Sequence, residues 1–499
     1  MLYCMHCTYH DRCSMMDENI LPSPPRPARL RRLWTPLLLL LLAVGVRGWY
    51  FATAPHGMQF THVDAQGYHW LARNLLEHGV YSMNTEPPLR ADNVRAPLYP
   101  LFVAANYAIA GPAPDFVALI HILIDALTVI VAFRLGCCLG GQRVGRLTGL
   151  LYALNPSSWR FCNELLTEIL FGFLLTTAVW MFARYILRGR DRDALRCGVA
   201  FGCAILCKPN IQFLPLALLL ILIHGVTTGR RRWWRGAALM AGVIGVMLAP
   251  WFIRNRVVFG EWFYTRTFDD NLAHVSAVAT LAHLRGEAVA PWSTRWEELY
   301  AEIVGETAVR YGWESVPEAT LSTRARDARL QQLKAVTGKL LRAHPMAFLV
   351  SHTRWWLWSF VPQEHKFWYT HLTGQSWEAL AVPGDVFGAA LKSLAQGQVA
   401  AAWDQVVGER WRALPPLALG LWAGWGAMYA LGGVLAAVGA WRLRPRLLSL
   451  FLLAVIFYVT FIPGPISQIR FRLPVIPLIL LLIVTAVSCT ARRGVGTRD

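Results

Sequence analysis

The sequence predicts an all-α polytopic membrane protein, and three observations lead to that class. Hydrophobic residues make up 55% of the 499 residues, and the mean hydropathy is +0.38, which is high for a soluble domain. Many apolar runs are long enough to cross the hydrocarbon core of a bilayer. The net charge of +18 is divided among short basic clusters between these runs, which is typical of cytoplasmic loops and not of a nucleic-acid-binding surface. The clusters lie at 26–32, 184–196, 230–235, 442–446 and 492–498.

Residues 1–32 are Pro-rich and then basic, and they predict a disordered cytoplasmic N-terminus. Four residues there have a spacing that suits zinc, but the flanking sequence shows no fold to hold such a site, so we expect no metal. These residues are Cys4, Cys7, His10 and Cys13. Most other cysteines lie in apolar segments, where they behave as small core residues and predict no disulfide framework.

The first predicted spanning helix is Leu33 to Phe51, and its basic flank places residue 32 in the cytoplasm and loop 52–96 in the periplasm. Four apolar runs follow between 97 and 187, and 97–111 is as short as any of them. If it crossed, the basic stretch 188–196 would lie outside, so we expect it not to span. The sequence predicts roughly ten to twelve transmembrane helices, with further apolar runs at 114–135, 143–157, 165–187, 195–207, 211–227 and 236–253.

Four regions follow from this pattern. Residues 33–253 form an N-terminal transmembrane catalytic module, and residues 254–415 form a polar, Trp-rich insertion, mostly helical, at the periplasmic surface. Residues 416–490 hold the last transmembrane helices, and 491–499 form a cytoplasmic tail.

The first outer loop carries an amphipathic helix that we expect to lie along the membrane surface. Its apolar residues recur at helical spacing, at Tyr68, Leu71, Ala72, Leu75 and Leu76. Asp64 stands at its start and Gly79 just past its end, where a capping acid and a C-terminal glycine belong. A Pro-rich segment then leads to the sequence Arg95-Ala-Pro-Leu-Tyr-Pro100.

The predicted outer face collects acidic and basic side chains, and charges at a membrane surface often mark function. Guanidinium groups bind phosphate with two hydrogen bonds, and a carboxylate can accept the proton of an attacking hydroxyl. Such a set suits a sugar donor whose phosphate is attached to a lipid. The acids are Asp64, Glu86, Asp92, Glu164 and Glu168, and the bases are Arg95, Lys208, Arg254, Arg470 and Arg472.

Motifs of soluble nucleotide chemistry and of common hydrolases do not occur. The sequence has no Walker loop, no dinucleotide-binding glycine pattern after a strand, no HExxH and no serine elbow.

The sequence resembles the GT-C membrane glycosyltransferases, and within them the relatives of dolichyl-phosphate-mannose protein mannosyltransferases, aminoarabinose lipid A transferases and rhizobial lipopolysaccharide glycosyltransferases. The order and spacing of several short motifs carry the resemblance. They are Asp64-x-x-x-Tyr68, Arg95-Ala-Pro-Leu-Tyr-Pro100, Asn155-Pro156 with Thr167-Glu168, Lys208-Pro209, Pro250-Trp-Phe-Ile-Arg254-Asn255 with Gly260, and Arg470-Phe-Arg472-Leu-Pro474.

The resemblance implies a GT-C-like bundle and an inverting sugar transfer from a polyprenyl phosphate at the periplasmic face of a bacterial inner membrane. Asp64 falls on the catalytic acid of the family. The expected phosphate-binding residues are Arg95, Lys208, Arg254, Arg470 and Arg472, and the expected acceptor- or sugar-binding residues are Tyr68, Glu86, Glu164 and Glu168. The partners are the lipid-linked donor, membrane lipids and an envelope glycan, lipid or protein.

Two positions depart from the family pattern. Ala65 stands where many relatives have a second acid, so we expect no metal and no cofactor. Lys208 replaces an arginine and keeps the charge, but it loses the planar fork.

Other interpretations of the same residues remain open. Asp64 can be a helix cap, and Arg95 can be a basic residue that only reaches toward the interface. A ligase or polymerase of polyprenyl-linked glycans would place its catalytic residues in the late outer loop. A lipid-linked sugar transporter would also need charged residues in the membrane, although no inverted repeat is evident. A non-catalytic scaffold is the remaining alternative.

Overall fold

The computed structural model describes residues 26–54, 57–60, 62–214, 232–287, 289–313, 321–375, 396–408, 414–466 and 469–488, with the single residues 377, 380, 393 and 412. Within these ranges the regular structure is entirely helical, so the predicted all-α polytopic membrane class is confirmed. The possible zinc ligands near the N-terminus lie outside the described residues.

The membrane part of the chain begins with α1 and resumes after the insertion with α16. Its first eight helices are α1 (Arg26–Thr53), α2 (Val63–His78), α3 (Leu98–Ala110), α4 (Pro114–Ala153), α5 (Pro156–Cys162), α6 (Glu168–Arg188), α7 (Asp191–Cys207) and α8 (Arg232–Phe259). Its last four are α16 (Pro416–Arg442), α17 (Arg446–Phe461), α18 (Ile469–Arg472) and α19 (Ile476–Ser488).

Six segments of the described chain are long and apolar enough to cross a membrane, and two further apolar helices, α3 and α17, are shorter. The six are Trp34–Thr53, Pro114–Ala153, Glu168–Arg188, Trp233–Phe259, Pro416–Arg442 and Ile469–Ser488. The expected total of ten to twelve stays a prediction, since most of the predicted segment 211–227 lies outside the described residues.

Helix α4 is a hairpin of two antiparallel arms, which correspond to the separately predicted segments 114–135 and 143–157. The backbone leaves helical geometry at Gly141, whose φ is 82°, a conformation that glycine adopts without a steric penalty. A Cβ atom added to Gly136 would lie 2.8 Å from the Cα of Gly145. Glycines on both arms therefore let the two backbones touch.

Helix α3 is not among the six segments long enough to span, and the expectation that it does not cross the membrane stays a prediction. Its thirteen residues rise about 20 Å, less than the hydrocarbon thickness of about 30 Å. The residues just before α3 and the first turn of α4 after it both contact the first loop. The hydroxyl of Tyr81 donates to the Ala96 carbonyl before α3 at 3.0 Å, and the Gln59 side chain donates to Asp115 after it.

The insertion contains short helices around a second hydrophobic core that includes Trp296, Leu299 and Ile303. Its helices are α9 (Thr267–Asn271), α10 (Val278–Leu284), α11 (Thr294–Tyr311), α12 (Thr323–Ala343), α13 (Pro345–Trp358), α14 (Glu364–Thr373) and α15 (Val399–Trp403). A π-helical turn, Leu272–Ala277, joins α9 to α10. The boundary expected between residues 253 and 254 falls inside α8, which continues to Phe259.

A buried carboxylate attaches the insertion to the first outer loop. Asp327 on α12 accepts hydrogen bonds from Arg266 at 2.8 Å and from the side chain of Asn93 at 2.7 Å. Because Asn93 belongs to the segment just before Arg95, this contact fixes the insertion beside the charged end of the loop.

Candidate active site

Asp64 is the point where the two ends of the first outer loop meet a distant part of the chain. One of its carboxylate oxygens accepts a hydrogen bond from Arg95 Nη2 at 2.5 Å, and the other accepts from Arg470 Nη1 at 2.7 Å. Arg470 lies 406 residues along the chain from Asp64. The three side chains are 26%, 25% and 12% exposed respectively, so they are shielded but reachable from solvent.

Asp64 does not cap α2. The residue before the helix is His62, which makes no capping bond with its side chain, and Asp64 is the second residue of the helix. The other end is as predicted: Gly79 has a φ of 66° and its N–H donates to the Leu75 carbonyl, while the next N–H, that of Val80, donates to the Asn74 carbonyl. The carboxylate of Asp64 is therefore available to the two arginines.

The loop that carries Arg95 is held by its own hydrogen bonds. The Asp92 carboxylate accepts from the backbone N–H groups of Val94 at 3.2 Å and Arg95 at 2.7 Å. The guanidinium of Arg95 lies over the ring of Tyr68, 5.4 Å from its centre, a contact that favours the cation. The position of Arg95 is thus fixed from both its backbone and its side chain.

A second ion pair borders the same space. Lys208 follows the C-terminus of α7, and its Nζ lies 2.8 Å from a carboxylate oxygen of Glu168, the first residue of α6. The Lys208 ammonium also lies 4.7 Å from the centre of the Phe471 ring. Both partners are largely buried.

These groups line one cavity of about 690 Å³, a volume in the range of small-molecule sites. Its basic residues are Arg95, Lys208 and Arg470. Further lining comes from the start of the insertion and from the turn after α7. Those residues include Asn210, Thr267, Asp270, Asn271, His274, Trp292 and Glu297.

The two arginines determine the charge state of Asp64. Burial by itself would raise the pKa of this carboxyl group, but the charges of Arg95 and Arg470 outweigh burial and hold the pKa well below its usual range. Burial, together with the positive charges of Arg470 and Arg160, lowers the pKa of His62 to about 4. At neutral pH the site therefore holds an ionised Asp64 beside a neutral His62.

Six of the predicted site residues meet at the cavity: Asp64, Tyr68, Arg95, Glu168, Lys208 and Arg470. Asp64, Tyr68 and Arg95 belong to the first loop. Glu168 begins α6, Lys208 follows α7, and Arg470 lies on α18. What each of them does stays a prediction.

Arg254 does not line the cavity, so the structure does not support it as a phosphate-binding residue there. It lies inside α8, where its Nη1 donates to the Asp92 carbonyl at 2.8 Å and its guanidinium lies over Trp251, 4.7 Å from the ring centre. Arg254 supports the loop that carries Arg95.

Arg472 is also away from the cavity, although it is only two residues from Arg470. Its Nη2 lies 2.9 Å from Glu364 and its Nη1 donates to the Ser359 carbonyl at 2.8 Å. Tyr429 also contacts this pair. Because the side chain is 3% exposed, Arg472 joins the last loop to the insertion and is not placed to hold a donor phosphate.

Two predicted acceptor-binding acids lie outside the cavity as well. Glu86 is exposed on the first loop. Glu164 is buried behind His62 and pairs with Arg160 at 3.0 Å. Neither is placed to contact a ligand in the cavity.

Sequence reasoning missed several cavity residues, among them Asn210, Asp270 and Trp292. Asn210 was placed at the outer face only by its position after Lys208-Pro209, yet both polar atoms of its side chain are buried without a hydrogen-bond partner. Asp270 and Trp292 are in the insertion, which was interpreted as one polar region. Nothing in their local sequence distinguishes them from the many other acids and tryptophans there.

Within the described ranges, no three His, Cys, Asp or Glu side chains cluster closely enough to suggest a metal site. The expectation that the protein needs no cofactor stays a prediction.

A family model described as dolichyl-phosphate-mannose-protein mannosyltransferase matches residues 94–253, about a third of the chain. The predicted resemblance to the GT-C membrane glycosyltransferases is confirmed. The matched segment contains Arg95, Glu168 and Lys208, whereas Asp64 and Arg470 lie outside it. A search of the curated proteins finds no match.

Solved structures of two proteins are similar to the chain. The archaeal oligosaccharyltransferase AglB from Archaeoglobus fulgidus, in complex with an inhibitory peptide and a dolichol-phosphate, has a TM-score of 0.49 and 14% identity, covering 95% of this chain and 53% of its own. ArnT from Cupriavidus metallidurans bound to undecaprenyl phosphate has a TM-score of 0.37 and 12% identity, covering 93% and 78%. The chain therefore spans about half the length of the oligosaccharyltransferase. At this level of similarity the family match, and not the structural similarity, supports the resemblance.

Proposed function

We propose that the protein transfers a sugar from a polyprenyl-phosphate donor to a hydroxyl group of an envelope acceptor, with inversion at the sugar carbon. The observation that supports this most strongly is the contact of one carboxylate, Asp64, with two guanidinium groups, Arg95 and Arg470, on a cavity. One site then offers a base for the acceptor and cations for the donor.

The donor phosphate would bind to Arg95 and Arg470. Each arginine uses one terminal nitrogen for Asp64, and the Nε–H of each is buried without an acceptor in the described part of the chain. Buried donors without a partner are rare in folded proteins, and guanidinium groups bind phosphate through paired N–H groups. Lys208 would add a third positive charge, as a compact ammonium without the fork.

Asp64 would act as the general base. It accepts the proton of the acceptor hydroxyl while the new bond from that oxygen to the sugar carbon forms and the bond from the carbon to the phosphate oxygen breaks. The leaving polyprenyl phosphate keeps the bonding electrons, and the cations stabilise its charge. Because phosphate leaves without full protonation, one carboxylate is enough.

Donor binding would also activate the base. In the ligand-free site the two arginines hold the pKa of Asp64 low, which makes it a weak base. A phosphate that binds both arginines brings negative charge next to Asp64 and shares their hydrogen bonds. The pKa of Asp64 then rises toward the usual carboxyl range, and its affinity for a proton increases.

The proposed location is a bacterial inner membrane with the cavity on the periplasmic side. The basic residues near 184–196 support this orientation, since they lie at the connection of α6 and α7 while the cavity residues Glu168 and Lys208 lie at the opposite ends of those helices. Basic residues favour the cytoplasmic side.

The test is sugar transfer by the full-length protein in liposomes that contain polyprenyl-phosphate sugars, with isolated envelope material as the acceptor. Asp64→Asn should reduce turnover by about 10²- to 10⁴-fold, the usual contribution of a general base. Glu86→Gln is the matched control, because Glu86 is an exposed acid of the same loop outside the cavity, and it should leave turnover unchanged. Wild-type turnover in Asp64→Asn would falsify the catalytic role.

A further inference from the structure

The insertion contributes a second side to the cavity, which we name the acidic wall and define as Asp270, Asn271, His274, Trp292 and Glu297. These residues follow α8 in the chain. The three cavity cations lie elsewhere: Arg95 in the first loop, Lys208 just after α7, and Arg470 on α18. The cavity thus has a basic region, which suits the donor phosphate, and beside it a region of carboxylate, amide and aromatic side chains.

Two members of the wall have polar side chains without a bonding partner. In the described part of the chain, neither Asp270 nor Asn271 makes a hydrogen bond or an ion pair through its side chain, and both residues are partly buried. Burial raises the pKa of the Asp270 carboxyl group and outweighs the opposing charges of His274 and Arg95. Partly buried polar groups of this kind are free to form hydrogen bonds with a ligand or with water.

Next to them is an aromatic surface that is held in place. The ring of Trp292 is 48% exposed and meets His274 edge to face, with ring centres 4.9 Å apart. His274 stacks on Tyr300 at 4.0 Å, and its Nε2 lies 3.3 Å from Glu297. The tryptophan is therefore presented to the cavity on a rigid base.

The backbone of Trp292 is strained. Its φ is +65°, and it is the one residue other than glycine with a positive φ in the described part of the chain. A bulky side chain rarely adopts this conformation, and residues in such conformations concentrate at ligand sites. The strain at Trp292 is consistent with an indole ring positioned to contact a ligand in the cavity.

We infer that the acidic wall binds a sugar unit of a neutral glycan, and that this glycan is the acceptor. The inference rests on the proposed function and adds the acceptor class to it. The apolar face of a sugar ring can pack on Trp292, while the unpartnered groups of Asp270 and Asn271 accept and donate hydrogen bonds with its hydroxyl groups. An ionised carboxylate makes especially strong bonds to hydroxyl groups.

The same wall disfavours an acceptor that carries phosphate. A phosphate beside Asp270 and Glu297 would place like charges together in a shielded site, which is costly. A strongly cationic peptide is also a poorer match, because Glu297 already faces His274 and the charges of His274 and Arg95 already act on Asp270. A mixture of one ring, one free carboxylate and one amide suits hydroxyl groups better.

The test measures binding to the full-length protein in lipid nanodiscs by saturation-transfer NMR. The probes are neutral oligosaccharides (mannan, glucan and galactan fragments), the same fragments with a terminal phosphate, and an oligolysine peptide. The variants are Trp292→Ala and Asp270→Asn, and Trp262→Ala is the matched control, since Trp262 is exposed outside the cavity.

At least one neutral fragment should bind, and its affinity should fall about tenfold in Trp292→Ala and stay unchanged in Trp262→Ala. The phosphorylated form should bind about tenfold more weakly than the neutral one, and Asp270→Asn should reduce that difference. A purely structural role of Asp270 would not change the preference between the two probes. Preference for the phosphorylated or lysine probe, an unchanged affinity in Trp292→Ala, or no binding of any probe would overturn the inference.

Undecaprenyl phosphate binding, measured by native mass spectrometry on the same nanodiscs, separates the two proposals. If the lipid phosphate binds through Arg95 and Arg470 while the glycan results fail, the acceptor class is wrong and the proposed donor site stands. If neutral fragments bind at Trp292 but the lipid phosphate does not bind, the proposed transferase function fails and the glycan site stands.

Discussion

Two carboxylate–arginine centres, one around Asp125 and one around Asp64, differ in how completely their hydrogen bonds are used. Arg47 and Asp125 are 0% and 1% exposed and lie 2.6 Å apart. Tyr152 donates to the other oxygen of Asp125 at 2.6 Å, and Ser158 accepts from Arg47 at 2.9 Å. Every nitrogen of the Arg47 guanidinium has a partner.

The Asp64 centre is open by comparison. Two arginines share one carboxylate, each keeps a buried Nε–H without an acceptor, and the group borders a cavity. A closed and satisfied centre joins helices, here α1 to α4 and α5. A centre with more cationic charge than it neutralises, and with donors left over, is prepared for an anionic ligand.

Removing the carboxylate of the closed centre should give the largest loss of stability. Asp125→Ala leaves the Arg47 charge buried without its partner, which costs about 3–5 kcal/mol when a buried pair is broken. We expect a strongly lowered thermal unfolding midpoint in detergent, with little folded protein recovered. Asp64→Asn is the reference, because its partners can be hydrated from the cavity, and its midpoint should stay close to that of the wild type.

Substitutions of Arg470 and Arg472, both on α18, should affect donor binding and stability separately. Arg470→Ala removes one phosphate ligand, so the KM for the lipid donor should rise about tenfold or more, with a nearly unchanged unfolding midpoint. Arg472→Ala leaves Glu364 buried without its charge partner, so it should lower the midpoint while the folded fraction keeps the donor KM. The reverse result would exchange the roles assigned to the two residues.

Arg95→Lys keeps the charge but loses the planar fork that can contact Asp64 and phosphate together. We expect a moderate increase in donor KM, about tenfold or less, and a smaller change in turnover. A donor titration of initial transfer rates measures it. Lys208→Arg is the counterpart: an unchanged or lower KM is expected, and a KM raised as much as in Arg95→Lys would contradict the role of the fork.

The smallest effect concerns pH. Asp64 must be ionised to accept a proton, so activity falls as the pH drops through its pKa. The arginines hold that pKa low in the free protein, and bound phosphate raises it. The acid limb of kcat/KM, which reports the free enzyme, should therefore lie at lower pH than the acid limb of kcat. Arg470→Ala should move the kcat/KM limb upward; a limb that stays in place would show that another group titrates.

Much of the site followed from the sequence because Asp64, Tyr68 and Arg95 lie within one loop between two apolar segments. Helical spacing and the capping glycine at position 79 determine that loop locally, so the pattern is visible without tertiary structure. Lys208 and Glu168 were also found, since each lies at the end of an apolar helix on the predicted outer side.

The sequence did not distinguish Arg470 from Arg472 or Arg254. Each lies beside an apolar segment, and only tertiary packing decides that Arg470 contacts Asp64 while Arg472 contacts Glu364. Asp270 and Trp292 could not be selected either, because their roles depend on how the insertion folds against the first loop and on a backbone conformation at Trp292 that no residue pattern encodes.

The most direct test of the central claim measures donor binding and transfer on the same preparation of Asp64→Asn. If the carboxylate is the base and also competes for the two arginines, removing its charge leaves Arg95 and Arg470 free for phosphate. Undecaprenyl phosphate should then bind more tightly than to the wild type, while sugar transfer falls by about 10²- to 10⁴-fold. Weaker lipid binding together with lost transfer, or transfer that persists, would contradict the account.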